Sequence, residues 1–389
     1  MSTLVPGGPD WPGATADGHP ALDRAGTNQP RATMALAAAL RDGPSHAYLF
    51  RGPPGSGKAA LARAFASEIL AAESPDPADT RRRAMLDPSP HPDLIWLKPR
   101  GMSHAVAEVR DQVIRKAPLK PFEGNHRVFV IEAADALNDE AQNAMLKTLE
   151  EPPPHAHLLL LSAEADGVLP TIASRCQTVG LEALSVELIR SELTGRPGGS
   201  DASPERIEAA ARLSQGDLGR ARILARDRGQ QIREAVEAMM TAALDDRLAD
   251  SPWLRVLTLA KGTGDQAGER VAAELGGEVK EGIKHTKTEI DEAVKRAQRR
   301  SRTAILDLSL SLASAWARDW LCVLSGAPEL AFNSDRLDVL RDQAGRIDPA
   351  AARDAVGIVA DTRRRFKLNV SEELALEAMV FRIESRLRG

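Results

Sequence analysis

The densest chemistry in this chain lies in Gly52-Pro53-Pro54-Gly55-Ser56-Gly57-Lys58. The spacing G-x-x-x-x-G-K lets backbone N–H groups turn inward around a phosphate. The start of the following helix adds partial positive charge, and the lysine reaches the outer phosphates. Gly52, Gly55, Gly57 and Lys58 are therefore the candidate nucleotide-binding residues. The plain alternative is a glycine turn that happens to precede a lysine. The next position breaks the pattern: where the motif carries a Ser or Thr hydroxyl for Mg²⁺, Ala59 offers no ligand atom. A second gap follows the apolar run 128–131. A hydrolysing NTPase places a metal-anchoring Asp there, commonly followed by a Glu that orients water, whereas this chain has Glu132-Ala133. Glu132 approximates the metal ligand with one extra methylene, and Ala133 activates nothing. The expectation is a site that takes ATP with Mg²⁺ weakly held at best, and hydrolyses slowly or not at all.

These residues need elements to place them. Ala47-Tyr48-Leu49-Phe50 is a short apolar run ending at the glycine loop, the pattern of a buried parallel strand, and a helix is expected over about 58–72. Further strands are expected at 93–97, 128–131, 158–161 and 177–181. Helical spacing covers 31–40, 106–116 and 139–150, the last ended by Pro152-Pro153-Pro154. Strands alternating with helices at this spacing predict a doubly wound parallel sheet. Residues 73–90 are polar and proline-punctuated and read as an insertion or linker, with Arg81, Arg82 and Arg83 a solvated basic face. Beyond 183 only helical patterns continue, broken at Gly216. The division expected is a flexible leader (1–30), an α/β nucleotide-binding-like domain (31–183), a small helical domain (184–229) and a larger all-α domain (230–389).

Composition sets the outer limits. A chain of 389 residues accommodates about two to four domains, and two cysteines far apart, Cys176 and Cys322, make neither a disulfide framework nor a cysteine-built zinc site. No apolar run is long enough to span a membrane, and MSTLVPGGPDWPG lacks the blocks of a signal peptide, so a cytoplasmic protein without membrane contact is expected. A net charge of −4 excludes coating of nucleic acid by bulk charge but leaves room for a local basic surface.

Ala141-Gln142-Asn143-Ala144-Met145-Leu146-Lys147-Thr148-Leu149-Glu150-Glu151-Pro152-Pro153, followed by Ser174-Arg175-Cys176, resembles the AAA+ subunits of the bacterial DNA polymerase III clamp loader. His46 before the first strand and His91-Pro92-Asp93 before the second are similar to the same family. The likeness covers about residues 30–225. It implies an AAA+ phosphate-loop domain, a small helical lid and a helical collar that holds five subunits together. Motor subunits of the family keep the full ATPase set, while the delta-prime type has degenerate positions and retains Ser-Arg-Cys, and this chain sides with the latter. The resemblance implies that Arg175 is an arginine finger reaching a neighbour's nucleotide in trans, which can be worth about 10³–10⁵ in rate. It also implies Ser162 as a polar sensor of the γ-phosphate, although a serine there caps a strand equally well. Lys147 would contact phosphates or a neighbouring subunit, with a solvated helix lysine as the equal alternative. The later sensor arginine is displaced: Gly219 stands where it is expected and Arg220 falls one place late. The four-cysteine zinc module of many such subunits is missing from 73–90, so no zinc is expected.

In the tail, residues 281–302 carry Lys284, Lys287, Lys295, Arg296, Arg299, Arg300 and Arg302 against four acids and no aromatic residue, and read as a solvated helix face. Cys322, near Trp316 and Trp320, reads as helical core. The function implied is a non-motor clamp-loader subunit in a heteropentamer with motor subunits and a clamp-opening subunit, acting on a sliding clamp and primed DNA. The rivals are an active AAA+ ATPase of motor type and, more remotely, a stand-alone phosphate-loop kinase.

Overall fold

The computed structural model describes residues 18–99, 103–163, 167–195, 202–280, 286–366 and 370–388. Residue contacts divide the chain into two units, 1–184 and 185–389.

The first unit is built on β1 (Ala47–Arg51), β2 (Leu94–Leu97), β3 (Arg127–Ile131), β4 (Ala156–Ser162) and β5 (Gln177–Gly180). They form one sheet in the order β2-β3-β4-β1-β5, with every pairing parallel. Alternation along each strand feeds two apolar layers. Tyr48, Phe50, Val128, Val130, Leu159 and Leu161 point to one face. Ala47, Leu49, Phe129, Ile131, Leu158 and Leu160 point to the other. Strands buried on both faces need continuous apolar runs, which is why they stand out in the sequence.

On the first face lie α1 (Pro20–Gly26), α2 (Pro30–Asp42), α3 (Lys58–Ala71) and α4 (Pro77–Ala84). Phe65 of α3 packs edge-on to Tyr48 with ring centroids 4.8 Å apart. On the second face are α5 (Val106–Val109), continued by a π-helical turn at Arg110–Ile114, then α6 (Asp139–Glu150) and α7 (Pro170–Ala173). Asn138 caps α6 by accepting from the Ala141 amide at 2.9 Å, and buried Gln142 bridges the Leu137 carbonyl (3.0 Å) and the Leu169 amide (2.7 Å). Part of the recognisable 141–153 motif is thus structural.

Two expectations need correction. The leader read over 1–30 is not one throughout: its residues 1–17 lie outside the described residues, but Pro20–Gly26 is helical, Leu22 is fully buried and the Ala21 amide donates to Glu68 at 3.0 Å. The segment 73–90 is not merely a linker either. Asp76 caps α4, whose Thr80 and Ala84 are buried. Arg81 pairs at 2.8 Å with Glu68, a carboxylate carried inward by α3, and Arg83 reaches Asp79 and Glu123, so only Arg82 fits the solvated face expected. A buried carboxylate without a cation is expensive, and Glu68 therefore draws both α1 and α4 onto the domain.

The second unit is helical among the described residues: α8 (Val186–Thr194), α9 (Pro204–Leu213), α10 (Leu218–Leu224), α11 (Asp227–Leu244), α12 (Trp253–Lys280), α13 (Lys287–Leu324), α14 (Leu337–Ala344), α15 (Pro349–Phe366) and α16 (Glu372–Leu387), with short 3₁₀ turns between some of them. Trp316 and Trp320 are buried, and both indoles donate to Gln343 Oε1, at 3.0 and 2.8 Å. Asp319, fully buried, accepts from the amides of Phe332 and Asn333. Cys322 is only half-buried rather than core. The boundary expected near 230 falls inside this unit, within α11.

Candidate functional site

The parallel order brings the C-terminal ends of β1, β3 and β4 to one edge, and with them Gly52 to Ala59, Glu132-Ala133 and Ser162. The loop after β1 is pinned at its first residue. The Gly52 amide donates to the Ser162 carbonyl at 3.3 Å, and a Cβ on Gly52 would meet the Leu181 carbonyl at 2.5 Å. Gly57 ends the loop in the left-handed region (φ 90°), which suits glycine and starts α3 at Lys58. The Lys58 ammonium bends back to donate to the carbonyls of Gly52 and Pro53, the latter at 2.7 Å. The Ser56 hydroxyl is buried with no hydrogen-bond partner among the described residues.

A latch absent from the sequence expectations completes the loop. Gln29, buried just before α2, donates to the carbonyls of Ser56 (3.0 Å) and Glu182 (2.8 Å) and accepts from the Glu182 amide (3.1 Å). It ties the phosphate loop to the chain leaving β5. Only its place ahead of a helix could have hinted at this, because the partners lie 27 and 153 residues away.

The acidic position is occupied differently from expectation. The Glu132 carboxylate accepts from the Trp96 indole N–H at 3.1 Å, and the Arg63 guanidinium lies 4.1 Å over the same indole ring. Arg63 also pairs with Asp87 at 3.2 Å, and burial pulls its pKa below the usual arginine range. Glu132 is therefore held on the β2 side by an indole and a nearby cation. Ala133 sits in the left-handed region (φ 52°), unusual for a non-glycine residue. Ala59, half-buried against the core, contributes only a methyl group. These residues fit a phosphate: positive-φ glycines, a lysine, a helix start and an unpartnered hydroxyl. They do not fit a tightly held Mg²⁺, since one ligand position is a methyl and the other is engaged by Trp96. Among the described residues no cluster of His, Cys, Asp and Glu could hold a metal ion.

Arg175 is not brought to this edge. It precedes β5, and Gln177 pairs with Tyr48 near the start of β1, so Arg175 lies at the opposite end of the sheet, about 15–20 Å along the strands from the chain's own loop. Its guanidinium donates to the Thr171 carbonyl and to Glu150 Oε1, both at 2.8 Å, and its side chain keeps 36% exposure. Next to it, burial pushes the Cys176 thiol up to about 12. Lys147 is exposed on α6, the solvated position that was one of its two readings. Arg220 turns to Asp307 (2.7 Å) and Ser311 (3.2 Å) of α13.

A phosphate loop after β1 in a parallel sheet ordered β2-β3-β4-β1-β5 defines an α/β nucleotide-binding domain of AAA+ type. Residues 28–185 match the protein-family model described as "DNA polymerase III, delta subunit". The chain is 36% identical over 203 residues to the DNA polymerase III delta-prime subunit of Pseudomonas aeruginosa, covering 49% of this chain and 58% of that one. It is 30% identical over 250 residues to the tau subunit of Escherichia coli, covering 61% of this chain and 37% of that one. The chain thus spans well under two thirds of either relative. A solved gamma subunit-related protein from Thermotoga maritima aligns over 91% of this chain and 99% of its own, at 16% identity and a TM-score of 0.37. Residues 28–185 are thus similar to subunits of the DNA polymerase III clamp loader.

Proposed function

We propose that this chain is a non-motor, delta-prime-like subunit of a clamp loader, completing an AAA+ ring and presenting Arg175 to a neighbour's ATP. The observation that carries the reading is Glu132: its carboxylate is committed to Trp96 while Ala59 and Ala133 supply no ligand or base. A loop that keeps its phosphate-binding shape without a metal holder suits a subunit that binds ATP without turning it over. Arg175 supports the same reading from the opposite edge, where it is exposed and cannot serve its own loop. The partners implied are motor subunits and a clamp-opening subunit in a heteropentamer, with a sliding clamp and primed DNA as its objects in the cytoplasm. Residues 184–229 would act as the lid and 230–389 as the collar.

The test combines two measurements. The purified chain should show negligible ATPase activity at any Mg²⁺ concentration. In a loader reconstituted with motor subunits, Arg175→Ala should leave assembly intact and lower DNA-stimulated ATP hydrolysis at least about 100-fold at the affected site. Robust turnover by the isolated chain that Lys58→Ala abolishes would favour the motor-subunit reading instead. Unchanged turnover of the Arg175→Ala assembly would remove the finger.

A further inference from the structure

The second unit carries a long antiparallel helix pair, and one face of it is built like a contact for a polyanion. Helices α12 and α13 run side by side, and from residue 269 to 304 no described side chain is fully buried, so this stretch is a two-helix arm rather than core. Two glycines set how the helices meet. A Cβ at Gly264 would lie 2.9 Å from the Gln298 carbonyl, and one at Gly268 would lie 2.6 Å from the Gln298 side chain. Gln298 therefore faces α12 at close range.

That contact fixes the rotation of α13. At 100° per residue, Val294, Gln298 and Ser301 share the inward side, with Ala297 beside them. Lys295, Arg296, Arg299 and Arg300 fall on the outward arc. All four are exposed, and the run 295–302, Lys-Arg-Ala-Gln-Arg-Arg-Ser-Arg, contains no acid. Several cations elsewhere in the unit are answered: Arg233 pairs with Asp335, Arg336 with Glu237, Arg346 with Asp245 and Arg382 with Asp361. On the arm, Lys295 and Arg300 have no carboxylate partner among the described residues. Arg296 has only an exposed pair with Glu292 one turn away, of the kind a stronger anion displaces.

The geometry points to a binding site for the phosphate backbone of double-stranded DNA on the outer face of α13, centred on Lys295, Arg296, Arg299 and Arg300. The row rises about 7.5 Å along the helix at 1.5 Å per residue, and a duplex presents one charge per about 1.7 Å of axis, so the spacing of the row suits a run of phosphates. The stretch 286–304 contains no aromatic side chain on which unpaired bases could stack, which selects a duplex over a single strand. Contacts of this kind position a protein without reading sequence. Lys284 of the same charged run lies outside the described residues.

The test uses the full chain without nucleotide and a fluorescein-labelled 30-base-pair duplex, followed by anisotropy from about 50 to 200 mM salt. The variant Lys295→Gln/Arg296→Gln/Arg299→Gln/Arg300→Gln should bind the duplex at least about tenfold more weakly, with a salt slope shallower by about 3.6. A charge-matched control, Arg110→Gln/Arg115→Gln/Arg247→Gln/Arg341→Gln, should bind as the parent does. Replacing the three arginines by lysine should preserve binding, and all variants should keep the parent's circular dichroism. Absence of duplex binding by the parent at 50 mM salt would overturn the site. So would equal loss in the control, equal binding by the four-fold variant, or tighter binding of a 30-nucleotide single strand.

Discussion

Removing the Asp93 carboxylate gives the sharpest test of how the AAA+ domain is held together. Asp93 and Arg127 are 0% and 2% exposed, and the carboxylate accepts from Arg127 at 2.9 and 3.1 Å. It also accepts from the amides of Phe122 (2.9 Å) and Glu123 (2.7 Å). Arg127 in turn donates to the carbonyls of Lys116, Leu119 and Lys120. The pair therefore closes the whole connection from the π-helical turn back into β3. Asp93→Ala leaves a buried guanidinium uncompensated, a loss of about 3–5 kcal/mol. For a unit of this size that lowers the melting temperature by about 10 °C. Hydrogen exchange read by mass spectrometry should show the Arg127 and Val128 amides, which bond to His155 and Asp93, exchanging about 150- to 5000-fold faster where exchange follows unfolding of the unit. The double variant Asp93→Leu/Arg127→Met, which removes both charges, should recover at least half of the loss. A cost below about 1 kcal/mol for Asp93→Ala would refute the reasoning, because that is the scale of an exposed pair.

Two further outcomes follow from side chains placed under the sheet. Burial depresses His157 to about 4, and its Nδ1 donates to the Ser45 carbonyl at 3.0 Å, leaving Nε2 to accept from His126 at 3.1 Å. The unfolded chain binds this proton below about pH 6.5 and the folded chain only below about 4. Stability therefore falls as pH drops through that window, by up to about 3 kcal/mol, and in urea titrations His157→Gln should flatten the dependence. The Cys176 thiol, raised to about 12, should resist iodoacetamide at pH 8 in the folded chain and react on unfolding; rapid labelling of the native protein would contradict its packing.

What the sequence made legible follows from what each element buries. The strands are apolar on both faces, so runs such as 47–50 and 158–161 could be recognised within a residue or two. Helix α4 could not. Its sequence, PADTRRRA, has no apolar side chain larger than proline, and it folds because Thr80 and Ala84 find a surface and Arg81 finds Glu68 on another helix. The glycine loop and its missing ligands were legible because the motif is local. The commitment of Glu132 to Trp96 was not, since it depends on the β2–β3 register that sets Trp96 beside Val130. The Gln29 latch joins residues far apart in the chain, and Glu150 lies next to Arg175 only once α6 and β5 are in place.

The hold of Lys58 on its own loop has a thermodynamic consequence. A lysine that waits in solvent contributes its full attraction to an arriving phosphate. Here the ammonium must first leave the carbonyls of Gly52 and Pro53, so part of that attraction is offset by the bonds it gives up. Ligand binding stabilises a protein by RT ln(1 + [L]/Kd), and a weakened Kd shrinks that increment. The domain's rigidity is thereby uncoupled from the nucleotide level around it.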